Sequence, residues 1–137
     1  MIFVDTNVLS ETLRKTPSPA VIAWLVRNDA ELALPTVTIA EIAFGIGKIQ
    51  PDQRAARLEE GLASWRHRFA DRIFAFTETA ALAYGDIMSA ALRRGRPMAA
   101  PDGMIAAIAR SNGGRLATRN LADFATTDVE LVSPWDF

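Results

Sequence analysis

Four acids far apart along the chain sit in settings that suit one pocket: Asp5, Glu41, Asp102 and Asp123. Asp5 ends the apolar run Ile2-Phe3-Val4 and is followed by Thr6-Asn7. Glu41 interrupts an apolar stretch, Ile39-Ala40-Glu41-Ile42-Ala43-Phe44, where an unpaired buried carboxylate is costly. Asp102 follows Pro101 at the start of a helical segment, and Asp123 comes a few residues after Leu116-Ala117-Thr118. Each has an ordinary structural reading: Asp5 as a turn former, Asp102 as an acid at the positive end of a helix dipole. Converging on one crevice, however, they would repel one another strongly at low dielectric. A bound divalent cation removes that repulsion, and an all-oxygen ligand set suits Mg²⁺ or Mn²⁺ rather than zinc. Such a site can hold a phosphodiester, polarise it and generate a hydroxide nucleophile. That chemistry cuts nucleic acid without cysteine or paired histidines. The chain has no cysteine and one histidine, His67, which lies between Arg66 and Arg68 where a surface position is expected.

The elements that must position these acids follow from pattern and punctuation. Ile2-Phe3-Val4 suits a strand buried on both faces of a parallel sheet. A helix is expected from about Asn7 to Arg14. After the break at Pro17-Ser18-Pro19, Ser18 caps a second helix with Pro19 at its first position. Val21, Ile22, Leu25 and Val26 are its expected apolar face, and Trp24 and Trp65 are expected in the core. Glu31 to Leu34 reads as a second strand stopped by Pro35. Thr38 is a candidate cap for the next helix, with Ile39, Ile42 and Ile46 on one face and Glu41 in its first turn. A helix over Gln53–Phe69, a strand over Arg72–Phe76 and a helix from Thr77 or Thr79 to Arg94 follow, the last stopped by Gly95. A helix opened by Pro101-Asp102 ends at Asn112-Gly113-Gly114. Leu116-Ala117-Thr118 and Glu130-Leu131-Val132 are the fourth and fifth strands. This alternation predicts an α/β fold with a mostly parallel sheet of four to five strands. Asp5, Glu41 and Asp123 then fall at the carboxyl ends of strands, where open α/β sheets bind ligands. Asp102 joins them if its helix begins on that side.

The 137 residues suit a single domain, 1–137, large enough to need no covalent staples. The absence of cysteine fits a reducing cytoplasm. The N-terminus does not read as a signal peptide, and no apolar stretch approaches the roughly 20 residues of a membrane span. The expectation is a cytoplasmic protein that does not enter a membrane. Net charge is −1, which argues mildly against a dedicated nucleic-acid binder. Its distribution is uneven: Arg93, Arg94, Arg96, Arg110, Arg115 and Arg119 span a stretch whose sole acid is Asp102. Singly these suit a solvated surface; together they suit a basic rim that holds phosphates beside an acidic centre.

Several stretches resemble the motifs of PIN-domain proteins. Met1 to Leu9 looks like their opening; Thr36-Val37-Thr38-Ile39-Ala40-Glu41-Ile42-Ala43-Phe44-Gly45 resembles the second acidic motif. Asp102-Gly103-Met104-Ile105-Ala106-Ala107 resembles the third, and Thr118-Arg119-Asn120-Leu121-Ala122-Asp123-Phe124 the fourth. The tail Val132-Ser133-Pro134-Trp135 is similar to that of VapC and FitB-type toxins. The resemblance covers nearly the whole chain, and four motifs in order make it specific. It implies a three-layer α/β/α PIN fold and metal-binding acids at Asp5, Glu41, Asp102 and Asp123. Thr6, Thr38 and Thr118 would supply hydroxyls around the site, and Asn7 and Asn120 supporting amides. Some relatives carry an acid at the position of Asn120, so Asp123 or Asn120 supplies the fourth ligand. Gly103 departs from the better helix former common there. The resemblance further implies a Mg²⁺- or Mn²⁺-dependent ribonuclease acting on RNA such as tRNA, and a homodimer. It also implies a cognate antitoxin in a hetero-oligomer, with operator DNA contacted only through that antitoxin.

Two other readings compete. An aspartyl phosphatase of the haloacid dehalogenase type would need Asp-x-Asp after the first strand, but Asp5-Thr6-Asn7 lacks the second acid. Neither lysine, Lys15 nor Lys48, follows a late strand. A catalytically inactive PIN-like binding module would have no electrostatic reason to keep four repelling acids.

Overall fold

In the computed structural model, which describes residues 1–136, Ile2–Val4 forms the central strand β1 of a five-stranded sheet. The other strands are β2 (Leu32–Pro35), β3 (Ile73–Phe74), β4 (Arg115–Ala117) and β5 (Leu131–Val132). Their spatial order is β3-β2-β1-β4-β5, and every neighbouring pair runs parallel. Helices α1 (Thr6–Thr12), α2 (Pro19–Arg27), α3 (Thr36–Lys48), α4 (Arg54–Arg68), α5 (Glu78–Arg93) and α6 (Ala100–Ser111) cover the two faces.

Both faces of the sheet are buried, and the period-2 alternation of a strand sorts its side chains between two cores. Ile2, Val4, Leu32 and Leu34 pack on one side with Val8, Leu9, Trp24, Ile42 and Leu62. Phe3 and Ala33 point to the other side, against Ile87, Ile105, Ile108 and Leu116. This is why the strands read as unbroken apolar runs.

The sequence expectations hold for the kinds of element and shift at their edges. Ser18 caps α2, accepting from the Val21 N–H at 3.5 Å, with Pro19 as its first residue. Thr77 caps α5 by accepting from the Ala80 N–H. The third strand shrinks from Arg72–Phe76 to two residues. The apolar face of α2 differs: Val21 and Leu25 are buried, but Ile22 and Val26 are exposed, and Trp24 takes their place in the core. Residues 21, 24, 25 and 28 share one helical face, so the bulky indole at position 24 turns that face to the sheet. Thr38 is not a cap, because α3 begins two residues earlier at Thr36. Glu41 accordingly lies in the second turn of α3, not the first.

Gly103 has a packing explanation. A Cβ there would collide with Met88 Sδ and stand 3.0 Å from Tyr84 Cε2, so the glycine lets α6 approach α5. Among the described residues no helix is long and apolar enough to cross a membrane.

Candidate active site

The order of the strands dictates where a site can form. Strands 1, 2 and 3 build outward in one direction, then the chain returns to place β4 on the other side of β1. From β1 the chain proceeds to β2 on one side and from β4 to β5 on the other, and the crevice beyond their carboxyl ends is where open α/β sheets bind ligands. Asp5 follows β1 and Thr118 follows β4, so both residues stand at that switch point.

Asp5 is buried, with 3% of its surface exposed, and each of its carboxylate oxygens accepts at least one hydrogen bond. Oδ1 accepts from the Thr6 N–H at 2.8 Å, capping α1. Oδ2 accepts from the Thr118 hydroxyl at 2.7 Å and from Asn7 Nδ2 at 3.1 Å. Burial raises its proton affinity; the hydrogen bonds from Thr118, Thr6 and Asn7 work against burial, and the nearby Glu41 charge adds to it. Asn7 clasps both ends of the crevice. Its Oδ1 accepts from the Arg119 N–H at 3.1 Å, and its Nδ2 also reaches Thr118 Oγ1 at 3.3 Å.

Glu41 is brought in by α3. The Thr38 hydroxyl, fully buried, donates to the Val4 carbonyl at 2.9 Å and pins the helix to the end of β1. One turn on, the half-buried Glu41 accepts from the Thr6 hydroxyl. Asp102 sits in the first turn of α6, and Asp123 in the short helical turn Leu121–Phe124 after β4. Together they line an open cleft of about 370 Å³ whose wall also holds Arg96.

The four acids share one electrostatic neighbourhood. Burial, then the charges of Asp5, Glu41 and Asp123, push the Asp102 carboxyl up to about 6. Asp102 thus registers all three of the other acids singled out from sequence. Their oxygens are not closed into a cage: among the described residues no group of three or more histidines and acids is close enough to hold an ion. The donor chemistry still fits a hard cation. Mg²⁺ keeps several waters and takes only one or two carboxylates directly, so a loose acidic ring meets its needs.

One placement differs from its expected role, and one buried acid carried no expectation. Asn120 contributes its backbone, whose N–H donates to Thr118 Oγ1 at 3.1 Å; its exposed side chain makes no hydrogen bond among the described residues. Glu11, not singled out from sequence, is a buried acid on α1. It accepts from the Ser18 N–H and from Arg14, and these bonds outweigh its burial and lower its proton affinity. Its role is to tie the α1–α2 connection to α1. Nothing in the spacing marks it, because its partner is a backbone group seven residues away. The C-terminal turn packs on the residue after Thr118, since the Arg119 guanidinium lies over the Trp135 ring at 5.0 Å.

Residues 2–130 match the PIN domain family. The chain belongs to that family. Over 137 residues it is 39% identical to Toxin FitB of Neisseria gonorrhoeae, covering 98% of this chain and 99% of that one. It is 33% identical to the VapC ribonuclease Y4jK of Sinorhizobium fredii, covering 99% of each chain. The crystal structure of FitAcB from Neisseria gonorrhoeae superposes with a TM-score of 0.89 at 37% identity and covers all of both chains. The structure of FitAB bound to the IR36 DNA fragment gives 0.87 at 37% identity, covering 98% of this chain and 96% of that one. The three-layer α/β/α arrangement is that of the PIN fold, and the likeness to FitB and VapC proteins runs the length of the chain.

Proposed function

We propose that this PIN domain is a Mg²⁺- or Mn²⁺-dependent endoribonuclease and the toxin of a toxin–antitoxin pair. One observation carries the chemistry: Asp102 lines the cleft with Asp123, and burial, followed by the charges of Asp5, Glu41 and Asp123, raises its proton affinity. Acids gathered so that their charges disfavour ionisation of Asp102 suit a cation bound among them. The likeness to a VapC ribonuclease supports RNA as the polymer cut, with tRNA a candidate substrate. The likeness to a toxin, and to FitB in its FitAB complex on DNA, supports a cognate antitoxin as partner and operator DNA met through it. A homodimer is part of the same reading.

A divalent cation in this crevice supplies Lewis acidity for a phosphodiester and makes water nucleophilic at neutral pH. Asp5, Glu41, Asp102 and Asp123 would surround it, one or two binding directly and the others through its waters. The rest is the work of the chain. Thr6, Asn7 and Thr118 fix the Asp5 carboxylate by three hydrogen bonds, so its position does not depend on the ion. Thr38 and Thr6 set the height and angle of Glu41.

The test is cleavage of RNA by the purified, antitoxin-free chain with Mg²⁺ or Mn²⁺, with and without EDTA. The expected outcome is cleavage with metal and none with chelator. Asp5→Asn and Asp102→Asn should each slow it by at least about 100-fold, since even residues that merely support metal ligands cost 10–100-fold. Cleavage that persists in EDTA would refute the metal reading. No cleavage under any metal condition, with tight antitoxin binding, would leave a binding module. Hydrolysis of small phosphate monoesters without RNA cutting would instead indicate a phosphatase.

A further inference from the structure

Arg96 stands apart from the other arginines of the basic stretch by how firmly it is placed. It follows Gly95, whose φ of +69° ends α5 in the left-handed conformation that glycine tolerates best. The Gly95 N–H donates to the Leu92 carbonyl at 3.0 Å and the Arg96 N–H to the Ala91 carbonyl at 2.9 Å. This is the paired bonding of a Schellman motif, and it locks the backbone of Arg96 to the end of the helix. Its side chain then crosses to the turn carrying Asp123, where Nη2 donates to the Ala122 carbonyl at 2.9 Å. Arg96 is therefore held at its backbone and at one guanidinium nitrogen, on the wall of the cleft that Asp102 and Asp123 also line.

The tether leaves most of its bonding capacity free. A guanidinium has five N–H donors, and one is used on Ala122. Two carboxylates line the same cleft, yet no acid among the described residues lies within ion-pair distance of Arg96. An exposed arginine hydrogen-bonded to a neutral carbonyl, and not ion-paired with the acids beside it, has donors left for a further partner. A polyanion approaching two acids is repelled by them, and a fixed cation at the rim offsets that repulsion. Guanidinium matches phosphate oxygens in geometry as well as charge.

We propose that Arg96 is a substrate-binding residue that grips a backbone phosphate of the RNA strand lying in the Asp102–Asp123 cleft. The assignment rests on the ribonuclease reading above. It makes the α5–α6 connection a wall of the substrate groove, and it predicts a sequence-independent contact, because phosphate carries no base information.

The test is equilibrium binding of a short, fluorescently labelled single-stranded RNA of random sequence, followed by anisotropy over a range of salt without divalent cation. Wild type is compared with Arg96→Ala and Arg96→Lys, with folding checked by circular dichroism. Loss of one phosphate contact should weaken binding by about ten-fold and flatten the slope of log affinity against log salt by about 0.7. Arg96→Lys should restore the slope while recovering only part of the affinity. In cleavage assays the alanine variant should raise KM more than it lowers kcat. If affinity and salt slope stay at wild-type values while kcat falls, Arg96 only braces the Asp123 turn through Ala122, and the proposal is overturned. If wild type itself neither binds nor cuts RNA, the ribonuclease reading fails and this inference falls with it.

Discussion

Asp102 is the residue whose chemistry is easiest to interrogate. Its carboxyl is raised from 3.8 to about 6 by burial and by the three acids around it. A raised carboxyl means the folded chain binds this proton more tightly than the unfolded chain does. The associated stabilisation is fully present below the unfolded value and is lost as pH rises through about 6. Asp102→Asn removes the titrating group, so in metal-free buffer the variant should melt above wild type at pH 8. That difference should shrink as pH falls towards 4. Differential scanning calorimetry at several pH values checks this; a variant that melts lower than wild type at pH 8 would contradict the electrostatic account. Added Mg²⁺ should raise the wild-type Tm by mass action at pH 8. The rise should fade below about pH 6, where protons compete for the same carboxylate. Asp5 shows a different balance. Its position was legible from the strand it follows, and the family motifs placed Thr6, Asn7 and Thr118 near it, but the direct bond from Thr118, 113 residues away, was set by the fold.

Thr38 and Gly114 act at the scale of elements. Thr38 looked like a helix cap from sequence, yet its hydroxyl fastens the interior of α3 to the Val4 carbonyl. A hydroxyl that points across to a strand leaves no local signature, so capping was the natural inference. Thr38→Val keeps the shape and deletes that bond, and should lower unfolding free energy by about 1–2 kcal/mol in urea titrations. Since α3 carries Glu41, the same variant should slow cleavage as well. Gly114 shows what a close approach costs. A Cβ there would stand 2.6 Å from Phe3 Cε2 and 3.1 Å from the Met1 carbonyl oxygen. The Phe3 ring is fully buried and cannot yield. Gly114→Ala should therefore destabilise by about 1–3 kcal/mol, the usual range for overpacking, measured by chemical denaturation.

At the scale of the whole molecule, the parallel sheet with its switch between β1 and β4 gathers the acids at one edge. The two apolar cores then hold that edge rigid from both sides. Several large apolar side chains remain exposed on the helices, among them Phe44 on α3, Leu82 on α5 and Val26 on α2. Multi-angle light scattering of the purified chain should return twice the monomer mass, in keeping with the proposed homodimer. A strictly monomeric mass across the accessible concentration range would remove the dimer from the reading.

The sequence by itself determined the alternation of strands and helices and the motifs of the PIN domain. It also set the strand-end position of Asp5 and the helix-start position of Asp102, because each is written in local periodicity and turn chemistry. Only the tertiary structure decided which face of α2 is buried, that Thr38 is a cross-link, and that Glu11 secures a loop. It also decided that Arg96 is fixed on the wall of the acidic cleft. Those facts depend on partners remote in the chain or on backbone groups that carry no residue identity. A linear pattern reports what a residue can do, and the packed sheet determines what it meets.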